Sequence, residues 1–297
     1  MTVLAEQQTA LEGVADAAAK ARPIWLCADD YGISPSVNKG IRELLMRGRI
    51  NATSVMVAAP SFHRSEAASL KMLNAGTHRV GIGLHITLTA PFQPMSPGFR
   101  PMRGGAFPPL TQMLLRGTLR TLDRDWLAIE IATQLKAFVT AFGRAPDFID
   151  GHQHVHLFPQ VREALLEVVK EAAPHAWVRQ CGRPSDLPGR FNDRKAMVLD
   201  ALSRTFRARA VAMSIKTNPA FAGTYNFASK PAVDFAQLFP GFLRWLPPGS
   251  VVMCHPGFVD AELERLDPLT QMREREYAFF ADDAFPGLLR THGVVLV

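Results

Sequence analysis

The chain has 297 residues, of which 47% are hydrophobic, with 33 lysines and arginines against 27 aspartates and glutamates. A chain of this length and apolar content buries a sizeable core, which excludes a disordered protein. Its three cysteines, Cys27, Cys181 and Cys254, form no C-x-x-C pair. They exclude a disulfide framework and favour buried thiols in a reducing compartment.

The formal net charge is +6, but the basic residues are spread along the chain and form no long run. With no nucleic-acid-binding motif either, we expect no nucleic-acid partner. No apolar window is long enough for a transmembrane helix. Residues 1–22 lack the basic start and unbroken apolar core of a signal peptide, so we expect a short or frayed N-terminal helix and a cytoplasmic protein.

Short apolar runs alternate with stretches of helical period. The apolar runs lie at 24–28, 52–58, 80–88, 148–150, 176–180, 210–215, 251–254 and 294–297. The main helical stretches between them lie at 34–47, 64–74, 159–172, 194–207, 232–245 and 269–289. This alternation predicts an α/β fold, an irregular TIM-like (β/α) barrel of about seven or eight parallel strands. An open doubly wound sheet is the alternative, weakened because no G-x-G-x-x-G follows the first run.

We expect residues 23–297 to form a single catalytic barrel domain with two insertions. The first, at 90–122, begins with a stretch to 109 that is rich in Pro, Gly and Phe and continues with an amphipathic stretch, and the second, at 217–231, carries Tyr225 and Phe227. Such loops often act as lids or binding loops, with solvated connectors as the alternative. The first insertion is apolar and basic, so it could contact a lipid-linked substrate, although a covering helix is favoured.

Acidic residues and histidines follow several predicted strands. They are Asp29 and Asp30, then His85, then Asp150, His152, His154 and His156, and finally His255. In a parallel α/β fold the carboxyl ends of the strands share one face, where the functional site lies. Residues far apart in sequence are therefore expected to converge there.

One aspartate and two histidines with open positions suit zinc or another metal that keeps a water. A second carboxylate can take the proton of that water, and a further histidine can protonate a leaving group. We therefore assign Asp30, His85 and His152 to the metal, with Asp29 as base and His255 as acid. Taken singly, the Asp pair could be a helix-capping turn and His85 a core histidine. If the 150–156 segment is extended, its three histidines share one face, and His154 and His156 then line the pocket or hydrogen-bond to the metal ligands.

Four segments carry a family resemblance: A-D-D-Y-G-I-S-P-S-V-N-K-G-I from Ala28, G-L-H-I-T-L-T from Gly83, D-G-H-Q-H-V-H-L-F-P from Asp150 and C-H-P-G-F-V-D from Cys254. Together they resemble the YdjC-like carbohydrate deacetylases, a group that includes chitooligosaccharide and hopanoid-associated deacetylases. The resemblance implies an irregular (β/α) barrel that hydrolyses the N-acetyl group of a sugar to acetate and a free amine. It implies the same roles for the same five residues.

Further expectations concern the substrate and the metal. Tyr225 and Phe227 are predicted to stack on the sugar, and Arg179 to bind a hydroxyl or an acidic substituent, while Asp150 supports the metal ligands. Two imidazoles favour zinc, with magnesium as the alternative. The expected partner is an oligosaccharide or small molecule with an N-acetyl group, and a homo-oligomer is left open. The alternative functions are metal-dependent hydrolysis of a phosphoester or a lactam, and a sugar-binding barrel without catalysis.

Overall fold

The computed structural model describes residues 21–74, 79–102, 104–188, 194–226 and 233–296. Within these ranges one parallel sheet contains all the strands. They are β1 (Arg22–Tyr31), β2 (Ala52–Val55), β3 (Gly81–Ile86), β4 (Phe148–Gly151), β5 (Trp177–Val178), β6 (Phe221–Ala222), β7 (Ser250–Cys254) and β8 (Val294–Leu296). A 3₁₀ turn, His152–Leu157, directly follows β4.

Helices lie between most of the strands. They are α1 (Pro35–Met46), α2 (Arg64–Leu73), α3 (Leu110–Thr118), α4 (Arg124–Phe142), α5 (Val161–Ala172), α6 (Arg194–Ala212), α7 (Phe235–Phe242), α8 (Ala261–Leu266), α9 (Gln271–Ala281) and α10 (Phe285–Thr291). Ser34 caps α1, since its side chain accepts a hydrogen bond from the backbone of Val37, and Pro35 fills the first helical position. None of the helices described is long and apolar enough to cross a membrane.

The strands run in the order β5-β4-β3-β2-β1-β7-β6, with β8 also paired to β1. The two end strands approach each other through the chain before β6. Val178 forms a parallel bridge with Thr217, and the Phe221 amide donates to the Gly182 carbonyl at 3.0 Å. The sheet therefore curls into an irregular barrel, as the sequence predicts.

The central strands are buried along their whole length, which explains why they appear in the sequence as nearly continuous apolar runs. Close packing dictates one glycine in particular. A Cβ at Gly83 in β3 would lie 2.3 Å from the ring of Phe148 in the neighbouring strand β4. The large ring of β4 thus requires the smallest residue beside it.

The prediction of a strand at 210–215 is wrong. Helix α6 continues to Ala212, and Phe206 and Ala210 are buried while Val211 is exposed. This is the spacing of one helix face rather than the alternation of a strand. The sixth strand is instead β6, which lies inside the segment expected to be the second insertion.

One edge of β1 is shared by two strands. β8 pairs with Arg22–Ile24 and β2 with Cys27–Tyr31. Asn51 joins them, because its Oδ1 accepts from the Leu26 amide at 2.7 Å and its Nδ2 donates to the Ile24 carbonyl at 3.0 Å. A side chain thus supplies the hydrogen bonds that the strand change leaves open.

We expect Asn51→Ala to lower the free energy of unfolding by about 2 kcal/mol, because it leaves a buried amide and a buried carbonyl without partners. Urea denaturation followed by circular dichroism measures the change. Gln237→Ala, at an exposed position of α7, is the control and should cost at most about 0.5 kcal/mol. Equal losses for the two variants would contradict the role of Asn51.

Candidate active site

The two aspartates at the end of β1 are both buried. The register of β1 against β2 shifts between Ala28 and Tyr31, and Asp30 has a φ of 69°. This left-handed conformation is uncommon for a residue other than glycine, although aspartate adopts it more readily than most. The consequence is that each of these consecutive residues has a carboxylate oxygen within 4.8 Å of a nitrogen of His85.

Asp30, His85 and His152 come together at the carboxyl end of the barrel. Asp30 Oδ1 lies 2.9 Å from His152 Nδ1 and 3.3 Å from His85 Nε2. The three buried residues are one of two groups of side chains, among those the structure describes, whose donor atoms are close enough to bind one ion. One carboxylate and two imidazoles match the ligands that zinc takes when it keeps an open position. The residues present therefore fit a metal.

His85 is oriented from behind by a second carboxylate. Its Nδ1 lies 2.6 Å from Asp150 Oδ1 and 3.0 Å from Ser54 Oγ, on the opposite side of the ring from Asp30. Burial by itself lowers the pKa of His85, but Asp150 and Asp30 together raise it to about 10. A metal-binding histidine is commonly oriented in this way by a carboxylate on its other nitrogen.

Asp29 is bound by a buried arginine. Arg179 approaches both of its oxygens, with NH1 at 2.6 Å from Oδ2 and NH2 at 2.8 Å from Oδ1, and NH2 also lies 2.6 Å from Asp150 Oδ2. Burial raises the pKa of Asp29, but the charge and hydrogen bonds of Arg179, together with His85 and His255, outweigh burial and hold that pKa well below its usual range. Asp29 is therefore an ionised carboxylate held in a fixed orientation.

His255 follows β7 and faces the other oxygen of Asp30, with Nε2 at 4.0 Å from Oδ2. Burial lowers the pKa of its imidazole, and the nearby Arg273 adds to this effect. The backbone amide of His255 donates to Glu276 of α9, which also accepts a hydrogen bond from the Tyr225 hydroxyl. Burial raises the pKa of Glu276 to about 7.

The loop that carries His255 is tied to α1 and α9. The Gly257 amide donates to the Arg273 carbonyl at 3.2 Å, and a Cβ at Gly257 would lie 3.0 Å from Val37 Cα. Asp260 closes the segment, because its Oδ2 accepts from the Ser36 amide at 2.9 Å while its Oδ1 caps α8. These contacts explain why glycine and aspartate follow the histidine in C-H-P-G-F-V-D.

The remaining residues predicted for the pocket lie differently from expectation. The segment after Asp150 is a 3₁₀ turn rather than an extended strand, and Gln153 and His154 have positive φ, so its histidines diverge. His156 donates from Nε2 to the Arg179 carbonyl at 2.9 Å, and His154 Nδ1 lies 3.5 Å from Cys181 Sγ. Phe227 lies outside the described residues.

Tyr225 and Arg179 also have protein partners. Tyr225 is half-buried beside Phe235, and its hydroxyl bonds to Glu276. Arg179 is buried against Asp29 and Asp150, rather than open to a ligand. Both side chains therefore contact the residues that build the site.

Sequence reasoning missed two buried residues of α9, Arg273 and Glu276. Arg273 NH2 lies 2.7 Å from Asp30 Oδ2 and 3.1 Å from Asp267 Oδ2. In M-R-E-R-E-Y-A-F-F the charges suggest a solvent-facing helix. The available signal was spacing, since Arg273, Glu276 and Phe280 lie at i, i+3 and i+7 and share one buried face.

The profile of the YdjC-like protein family matches residues 23–291, so the chain belongs to this family. It is 33% identical to the chitooligosaccharide deacetylase of Proteus mirabilis over an alignment of 147 residues. That alignment covers 49% of this chain and 54% of the Proteus protein. It is 26% identical to the chitooligosaccharide deacetylase of Salmonella paratyphi B over 247 residues. That alignment covers 80% of this chain and 83% of the Salmonella protein. A match to the chitooligosaccharide deacetylase of an Enterobacter species covers 50% of that protein's length. The chain therefore spans only about half the length of these two relatives, from Proteus and Enterobacter.

Among solved structures, a candidate cellobiose-phosphate cleavage protein of Enterococcus faecalis superimposes with a TM-score of 0.72 at 20% identity, covering 93% of this chain and 97% of that one. The lactam utilization protein of Thermus thermophilus gives 0.50 at 13% identity, covering 92% and 98%. At these identities the likeness establishes the barrel fold alone.

We expect Arg179→Met to lower the free energy of unfolding by about 3–5 kcal/mol at pH 7, because Asp29 and Asp150 lose their buried cation. The low pKa of Asp29 stabilises the wild type at neutral pH, and this contribution is lost as the pH falls below about 4. The difference in the free energy of unfolding between wild type and variant should therefore become smaller as the pH is lowered.

Urea denaturation between pH 7 and pH 2 measures this difference in the free energy of unfolding. The matched control is Arg79→Met, whose partner Asp147 lies 2.9 Å away at the surface. Exposed pairs contribute about 1 kcal/mol or less. A difference for Arg179→Met that stays constant with pH would contradict the assignment of its effect to the carboxylates.

Proposed function

We propose that this protein is a metal-dependent hydrolase that removes an N-acetyl group from an acetylated sugar or glycan, releasing acetate and a free amine. The observation that carries the proposal is the contact of Asp30 with both His85 and His152, with Asp29 and His255 beside them. The relatives named chitooligosaccharide deacetylases support the substrate class.

In this proposal Asp30, His85 and His152 hold the metal. A metal held by these residues would supply Lewis-acid chemistry, polarising the acetyl carbonyl and lowering the pKa of a nearby water molecule. Two imidazole ligands favour zinc, with magnesium as the alternative. Asp150 and Ser54 fix the ring of His85 so that Nε2 faces Asp30.

Asp29 is the proposed base, and it takes the proton of the attacking water. Its carboxylate is kept ionised and oriented by Arg179, with a further hydrogen bond from Ser54 Oγ at 3.0 Å. We therefore assign Arg179 to the positioning of Asp29 instead of to the substrate. The new C–O bond forms at the acetyl carbon, and the C–N bond then breaks.

His255 is the proposed acid, and in its protonated imidazolium form it delivers a proton to the departing nitrogen. It lies beside Asp30 Oδ2, whereas the two histidine ligands lie beside Oδ1. The Glu276 carboxylate accepts a hydrogen bond from the backbone amide of His255. It also accepts one from the Tyr225 hydroxyl, so the second insertion contacts the same helix, α9. Contacts of Tyr225, Phe227, His154 and His156 with the sugar stay predictions, as does a cytoplasmic location.

The first insertion lies next to this site. The Phe92 ring is edge-on to the His152 ring at 5.6 Å, and α3 packs by Gly117 against Pro159. Leu115 and Leu119 of this insertion are exposed, with the exposed residues Arg116 and Arg120 next to them. An apolar face flanked by cations suits an amphipathic substrate, so we retain a lipid-linked glycan as a candidate.

We expect acetate release from N-acetylglucosamine oligosaccharides to stop on treatment with a chelator and to return on adding zinc or magnesium. His152→Ala should lose metal and at least about 100-fold in kcat/KM, because one of three ligands is missing. His63→Ala, at an exposed position, is the control. Chelator-insensitive turnover would defeat the metal role, and turnover of phosphoesters or lactams alone would defeat the substrate class.

We expect Asp29→Asn to lower kcat by about 100- to 10,000-fold while zinc affinity is retained, since an amide cannot accept the proton. Enzymatic detection of acetate gives kcat, and titration with a chromophoric chelator gives zinc affinity. Intact turnover would show that Asp29 is not the base. Tight glycan binding by a wild type that never turns over would instead favour a sugar-binding barrel.

A further inference from the structure

We propose that Arg273 is a positioning residue that decides how Asp30 binds the metal. It engages one carboxylate oxygen, so that Asp30 offers the ion a single oxygen only. This inference rests on the proposed metal site, and it concerns a residue of α9 that follows Asp30 by 243 positions.

The guanidinium of Arg273 is held rigidly. Its side chain is 0% exposed. Its NH2 lies 2.7 Å from Asp30 Oδ2 and 3.1 Å from Asp267 Oδ2, while Nε donates to the Leu269 carbonyl at 2.9 Å. Hydrogen bonds between charged groups are stronger than neutral ones, and this one is shielded from water. Arg273 is therefore a fixed partner of Asp30.

The two oxygens of Asp30 thus face different partners. Oδ1 faces His152 and His85, and Oδ2 faces Arg273. If Asp30 chelated the metal with both oxygens, it would have to leave this bond. A single-oxygen ligand keeps coordination positions open for water and for the acetyl oxygen, as catalytic sites require.

Arg273 also changes the strength of Asp30 as a ligand. The adjacent cation draws electron density from the carboxylate and repels a divalent ion, so the metal binds less tightly than to an isolated carboxylate. A metal bound beside Asp30 would in turn keep more of its charge for polarising water. We infer that Arg273 favours reactivity at the expense of affinity.

The same residue connects the metal ligand with the acid. The Arg273 carbonyl accepts from the Gly257 amide, and Glu276, three residues later, accepts from the His255 amide. Helix α9 therefore fixes Asp30 and His255 relative to each other. Loss of a positioning contact of this kind is expected to reduce turnover by about 100-fold.

The test compares Arg273→Gln with Arg273→Lys, and with Arg275→Gln as a control at an exposed position of the same helix. We expect Arg273→Gln to bind zinc as tightly as the wild type or more tightly, while kcat falls by about 100-fold. The cobalt(II) absorption spectrum should change, because Asp30 is then free to chelate. Arg273→Lys should restore part of the wild-type spectrum, and Arg275→Gln should match the wild type throughout.

A second measurement needs no variant. X-ray absorption of the zinc-loaded wild-type protein should show carboxylate ligation through one oxygen. Two-oxygen ligation there would overturn the proposal, as would an Arg273→Gln protein with weaker zinc binding and an unchanged cobalt spectrum. If the wild type binds metal as described but releases no acetate, the proposed function fails while the role of Arg273 stands.

Discussion

The candidate active site at the carboxyl end of the barrel depends on the stabilisation of three buried carboxylates that lie close together. Asp29, Asp30 and Asp150 are all buried and all contact His85 directly or through Ser54. Negative charges so close together repel one another and lose their hydration, so they are tolerated only beside cations. Arg179 and Arg273 are those cations. Arg179 forms ion pairs with Asp29 and Asp150, and Arg273 forms ion pairs with Asp30 and Asp267.

The fold explains why charges from distant parts of the sequence meet. β1, β4 and β5 run parallel, so Asp29, Asp150 and Arg179 all lie at strand ends on one face of the sheet. Arg273 reaches the same face from a helix. The barrel therefore supplies the anions and one cation from the sheet itself, and the second cation comes from an outer helix.

The sequence predicted which polar residues meet at the carboxyl ends of the strands. Asp30, His85 and His152 converge as expected, because polar residues after apolar runs mark strand ends. Arg273 and Glu276 were not predicted, because charged residues on a helix usually face solvent. The apolar run 210–215 was misassigned for a related reason, since a short apolar run at a helix end has no periodicity that separates it from a strand.

The charges of the site also bear on the proposed metal. Asp29, Asp30 and Asp150 carry three negative charges, and Arg179 and Arg273 carry two positive ones, so this set of five groups has one negative charge in excess. Burial lowers the pKa of His85, but the adjacent carboxylates of Asp150, Asp30 and Asp29 raise it to about 10. A proton on His85 and a divalent metal beside Asp30 would compensate the same charge. Because a metal-binding imidazole must be neutral, binding of the proposed metal and protonation of His85 would exclude each other, and the charges that hold Asp29 in place would also favour the ion.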